Sequence, residues 1–203
     1  MAVIKPVDYG AFFDTVSPAI ETHPANYTEE VKSAFLQAIY DRGNLSSPAI
    51  NDSEFLLWLR VRLRPLLVDL SPSLVTPLLD IGKNRSCNSS QEIITLLDTL
   101  HLTLTNNTKR EIFKITLLFL QGPTPLKCYT GRSLYIYLKD TFLSFGFPDL
   151  STFKSLLPAT RESELLSTIN AAELNQLLNQ PNMIDNNSDI CVLFNNYNSS
   201  GET

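Results

Sequence analysis

Glycine is scarce in this 203-residue chain, at 7 residues, and histidine is scarcer, at 2. So few glycines leave no phosphate-cradling loop, and no Walker loop, nucleophile elbow or HExxH run occurs. His23 and His101 lack a partner at helical spacing, so no metal pair is nominated. His101, between Leu100 and Leu102, reads as a structural or helix-end residue, and His23, before Pro24, as a loop residue. The three cysteines, Cys87, Cys128 and Cys191, are odd in number and far apart. That excludes a disulfide framework or a paired-cysteine zinc site and leaves reduced thiols. Ile112 to Leu120, the longest apolar stretch, spans nine residues and contains Lys114, whereas a membrane-crossing helix needs about 20. Lys5 followed by Asp8 and Asp14 lacks the basic-then-apolar order of a secretory signal. The reading is an intracellular protein, cytoplasmic or nuclear, with no catalytic set and no cofactor.

What is present favours helices. Charged residues make up 18% of the chain and apolar residues 43%, enough apolar content to exclude wholesale disorder. A core of this size buries about 70% of the unfolded surface, which makes one domain the default. Prolines outnumber glycines 12 to 7 and leucine dominates the apolar set, a pattern of helices punctuated by prolines. An all-α domain of about eight short to medium helices is expected over residues 1–181, with an Asn/Ser-rich, partly disordered tail over 182–203.

Periodicity and capping locate the helices. A short one is expected over Asp8 to Val16, presenting Phe12, Phe13 and Val16. Another runs from Glu29 to Asp41, with Thr28 as cap, Gly43 as stop and Val31, Ala34, Phe35, Ala38 and Ile39 on its apolar face. Asp52 to Leu63 is apolar nearly all round and reads as a central helix that Pro65 ends or kinks. Ser71-Pro72 and Thr76-Pro77 predict short turns through Ile81. Capping boxes at Ser89/Glu92, Thr108/Glu111 and Asn170/Glu173 predict helices over Gln91 to Leu102, Lys109 to Gln121 and Ala171 to Asn179. Leu134 to Phe145 keeps helical spacing, with a strand through Leu134, Ile136 and Leu138 as the alternative. Ser151 to Leu157 and Arg161 to Ile169 predict further short helices. Ile190, Val192, Leu193 and Phe194 form an apolar island in the tail, expected to dock on its own domain. Asn-x-Ser/Thr triplets recur, among them those that begin at Asn26, Asn44, Asn51, Asn88, Asn106, Asn186 and Asn198. Without a secretory signal they read as helix caps before they read as glycan acceptors.

Charge is unevenly placed. Residues 1–59 hold three basic against eight acidic groups, residues 60–132 ten against five, and residues 133–203 three against eight, so a +5 middle lies between two −5 flanks. Arg60, Arg62, Arg64, Lys83, Arg85, Lys109, Arg110, Lys114, Lys127 and Arg132 form a candidate phosphate or nucleic-acid patch if they converge. Tyr129, Tyr135 and Tyr137 beside it suit either base stacking or ordinary packing. The competing expectation is that carboxylates from the flanks neutralise these cations, and a pI near 5.0 favours it. Trp58, Phe12, Phe13 and Phe194 are candidate interface anchors. The leading functional reading is a non-enzymatic helical interaction protein, regulatory or structural, acting on a protein partner or on itself. The alternative is an RNA-binding, nucleoprotein-like role for the basic middle. The Asn, Ser and Thr usage also suits a viral or accessory regulatory protein, an association with no physical mechanism behind it.

Overall fold

The computed structural model describes residues 9–83, 85–121, 141, 144–146, 172 and 175. Among the described residues 77% are helical and there is no strand, so the fold is all-α. Contacts cluster into two units, Met1–Ile115 and Thr116–Thr203.

In the first unit, α1 (Tyr9–Thr22) buries Tyr9, Phe13, Ser17 and Ile20, a stripe spaced by three and four. It runs six residues beyond the expected end at Val16. Pro18 lies inside the helix on its exposed side, where losing one amide costs least. The Thr22 hydroxyl donates to the Pro18 carbonyl at 2.9 Å. A short 3₁₀ turn (Pro24–Asn26) leads to α2 (Glu29–Arg42), which begins and ends as its pattern predicts. Its buried residues are Lys32, Leu36 and Ile39, while Val31 and Ala34 face solvent. The helix is turned from the face that apolar spacing alone selects: Leu36 and Ile39 are fully buried, and beside them the Lys32 ammonium reaches Asp69 at 2.5 Å. After α2 the left-handed residue is Asn44, at φ 47°, which its short polar side chain tolerates.

Next comes α3 (Asp52–Leu57), capped by Asn51, whose side chain accepts from the Glu54 amide at 2.9 Å. It passes without a break into a π-helical stretch (Trp58–Leu63) and α4 (Arg64–Leu67). Pro65 therefore does not end this helix. A regular α-turn would drive the proline ring into the carbonyl four residues before it, and widening the preceding turn is one way a helix absorbs that clash. The inward side is continuous core: Phe55, Trp58, Leu59, Leu63, Leu66 and Leu67. Each such side chain contributes about 1.5–3 kcal/mol by burial.

A 3₁₀ turn (Pro72–Leu74) precedes α5 (Val75–Gly82), which packs on α6 (Cys87–Thr99). The capping residues of α6 and α7 (Asn106–Gln121) are Ser86 and Thr105, each three residues ahead of the boxed Ser89 and Thr108, so the helices start at Cys87 and Asn106 rather than at Gln91 and Lys109. Each segment reads Ser/Thr-x-x-Ser/Thr-x-x-Glu, offering two caps in series. The earlier hydroxyl accepts the amide of the later residue, at 3.3 Å for Ser86 and 3.2 Å for Thr105. The later hydroxyl is freed for a tertiary bond: Ser89 to Asp52 at 3.0 Å and Thr108 to the Leu70 carbonyl at 2.8 Å. The earlier start adds nearly a turn of backbone bonds and anchors each helix elsewhere, so it wins.

Of the second unit, Thr141, Ser144 and Phe145 are helical, as are Ala172 and Asn175. These positions fall inside the helices expected over Leu134 to Phe145 and Ala171 to Asn179. The Asn170/Glu173 box, the segments Ser151 to Leu157 and Arg161 to Ile169, and the tail with its 190–194 island lie outside the described residues.

Candidate functional site

The arginines of the central helix divide between interior and surface. The Arg62 side chain is 6% exposed. Its Nε and second amino nitrogen donate to the two Asp14 oxygens of α1, at 2.7 and 3.1 Å, and its remaining nitrogen donates to Glu54. The guanidinium stacks 4.7 Å above the Trp58 ring, a cation–π contact strengthened by the lack of water. A Cβ at Gly10 would stand only 3.4 Å from the guanidinium carbon, so α1 passes closely over it. Burial works against the Arg62 charge, but the bonds it donates to Asp14 and Glu54 outweigh it and hold its pKa above the ordinary value. The bond from Arg62 in turn holds the Asp14 carboxyl below its ordinary value. The Arg62 carbonyl also accepts from the buried Ser17 hydroxyl at 2.7 Å.

Arg60 and Arg64 stay in solvent, at 59% and 45% side-chain exposure, although both are paired. Arg60 reaches Glu92 of α6 at 2.7 Å and Arg64 reaches Glu21 of α1 at 2.8 Å. Arg85 is interior. It donates to the carbonyls of Leu45, Ser47 and Ile50, stacks 4.2 Å over Phe55 and lies 3.5 Å from Asp52. Lys83 and Lys114 face carboxylates of their own segments, Asp80 at 4.0 Å and Glu111 at 3.1 Å. Among the described residues no ion pair involves Lys109 or Arg110, and Lys127 and Arg132 lie outside those residues. Six of the ten candidate patch residues are thus matched to carboxylates.

Of the candidate anchors, Trp58 and Phe13 are core residues with rings 5.9 Å apart. An anchor has to reach the surface, and neither does. Phe12 is half-buried, edge-on to Phe13 at 5.0 Å and Phe35 at 6.1 Å. Phe194 lies outside the described residues.

The apolar side chains that do reach solvent on the central helix are Leu57 and Val61, 38% and 42% exposed. Between α3 and α6 runs a depression of about 310 Å³ lined by Asp52, Leu56, Ser89, Gln91, Glu92 and Thr95. Its floor is set by the Asp52 carboxylate, which takes the Ser86 hydroxyl at 2.8 Å and the Ser89 hydroxyl at 3.0 Å. Those two bonds, with Arg85 behind them, hold the Asp52 carboxyl below its ordinary value and clasp the starts of the two helices. Sequence reading missed Leu57 and Val61 because Phe55 to Leu63 is apolar nearly all round. The available signal was Arg60 and Arg64, which mark the solvent side of the same helix.

Other chemistry has little support in the described residues. His101 follows α6 with its Nδ1 2.6 Å from the Asp98 carbonyl, and His23 is exposed between α1 and the 3₁₀ turn. No group of three or more His, Cys, Asp or Glu residues placed to hold a metal occurs among the described residues. No described helix is long and apolar enough to cross a membrane. Comparison with protein-family models, with curated proteins and with solved structures finds no match to the chain.

Proposed function

We propose that the chain is a non-enzymatic interaction protein whose contact surface is the solvent side of the central helix, around Leu57 and Val61. The observation that carries this reading is the pairing of these two exposed aliphatics on a helix whose arginines are already matched to carboxylates. An apolar centre with a charged rim is the usual anatomy of a protein-binding patch. Isolated exposed aliphatics are commonplace, and what singles out this pair is its place four residues apart on one ordered helix.

The nucleic-acid reading has less support. Phosphate binding needs cations free to exchange counterions, and Arg62 and Arg85 are buried while Arg60 and Arg64 are held by glutamates. Lys109 and Arg110 remain as its basis. A photo-crosslinking residue at position 57 or 61, in the cells that make the protein, tests the choice. Adducts to protein at these positions, with none at the exposed Gln37, are expected. Adducts to RNA alone, or equal labelling at all three positions, would contradict the reading.

A further inference from the structure

Asn-x-Ser/Thr triplets are more frequent than composition accounts for. Ser and Thr are 36 of the 203 residues, so at any fixed spacing about three of the 16 asparagines would be followed by one by chance. Four are followed by Ser or Thr at the next residue and two at three residues on, but eight at two residues on. Among these spacings the excess falls on that of a glycan acceptor. Helix capping does not produce it, because a cap is a single side chain and a capping box pairs residues three apart. Of Asn26, Asn44, Asn51 and Asn106, only Asn51 is itself a cap, while α2 and α7 are capped by Thr28 and Thr105.

All four asparagines are exposed and stand where the chain passes between helices: Asn26 between α1 and α2, Asn44 and Asn51 between α2 and α3, and Asn106 at the first residue of α7. Among the described residues none of their side-chain nitrogens takes part in a hydrogen bond, and Asn51 caps α3 through its oxygen. A sugar on the nitrogen therefore displaces no bond of the fold. Thr108, two residues after Asn106, is buried against the Leu70 carbonyl, so Asn106 can accept only before the chain folds, and its own exposure leaves room for the glycan afterwards.

We propose that the chain is N-glycosylated, with Asn26, Asn44, Asn51 and Asn106 as acceptors. The donor is a lipid-pyrophosphate-linked oligosaccharide. The asparagine nitrogen forms a bond to the anomeric carbon as the bond from that carbon to the pyrophosphate oxygen breaks, the lipid pyrophosphate leaves with the electron pair, and the nitrogen gives one proton to a base of the transferase. The reaction requires the nascent chain to enter a lumen that holds such a donor, which replaces the cytoplasmic or nuclear setting that its N-terminal residue order favours.

The test is the intact mass of the full chain, purified from the cells that make it, before and after peptide N-glycosidase digestion in heavy-oxygen water. The mass exceeds the 22.8 kDa of the bare chain and falls back to it on digestion. Peptides then carry aspartate with heavy oxygen at positions 26, 44, 51 and 106, and unlabelled asparagine at Asn107, which is exposed but begins no triplet. Thr28→Ser retains the label at position 26 and Thr28→Ala loses it. The Thr28 side chain makes no cap bond to α2, so that loss reads the hydroxyl and not the fold. A chain that arrives at its bare mass overturns the proposal, as does label at position 26 that survives Thr28→Ala.

Discussion

Arg62 and Arg60 stand two residues apart on one helix, each bonded to a glutamate, yet one is interior and the other surface. The inward arginine bridges α1 and α3, stacks on Trp58 and has 6% of its side chain in water. The outward one touches a single carboxylate and keeps 59% exposure. Residue type and local spacing are the same. What differs is how many groups lose their only partner when the guanidinium is removed, and that number sets the energetic weight of each.

The largest effect should come from Arg62→Ala. It strands Asp14 and Glu54, opens a space beside Trp58 and removes the cation–π contact. Breaking a buried pair costs about 3–5 kcal/mol, and because both carboxylates are partly exposed and can rehydrate, about 2–4 kcal/mol is expected in urea unfolding. A loss no larger than that of an exposed pair would erase the contrast between the two sides. Next comes Thr108→Val, which keeps the volume but leaves the Leu70 carbonyl without its hydroxyl donor. A loss of about 1–2 kcal/mol is expected in the same measurement. Arg60→Ala should cost less than about 1 kcal/mol, the range of exposed ion pairs, and a larger loss would move Arg60 into the structural class.

The smallest effect is in acid. The bond from Arg62 depresses the Asp14 carboxyl, and the Ser86 and Ser89 hydroxyls, with Arg85, depress that of Asp52. A carboxylate with a lowered folded pKa contributes stability in full above its unfolded value, near about 4, and loses it as pH falls through the folded value. The urea midpoint should therefore hold steady from neutrality to about pH 5 and decline below about pH 4. Asp14→Asn should make that decline shallower, and an unchanged profile would detach Asp14 from it.

The helical class was legible from leucine content, proline punctuation and caps, and α2 was legible almost to the residue. Three features were not. The α6 and α7 caps lie three residues early because each sequence offers two hydroxyls in series, and only tertiary partners, Asp52 and the Leu70 carbonyl, show which hydroxyl is freed. Pro65 reads as an end or a kink, yet it sits behind a widened turn of a helix that continues. Arg62 reads as a member of a cationic patch because its neutralising carboxylate, Asp14, is 48 residues away. The basic middle is a fact of sequence order, whereas its matching to acids is a fact of packing. Trp58, the largest candidate anchor, packs inward against Phe13.

Trp58 is the only tryptophan, so its fluorescence reports on the inward side of this helix without interference. In acrylamide quenching, the folded wild type should be strongly shielded relative to the urea-unfolded chain, and Arg62→Ala should be quenched measurably faster under native conditions. A wild-type Trp58 quenched as readily when folded as when unfolded would contradict both its burial and the role given to Arg62.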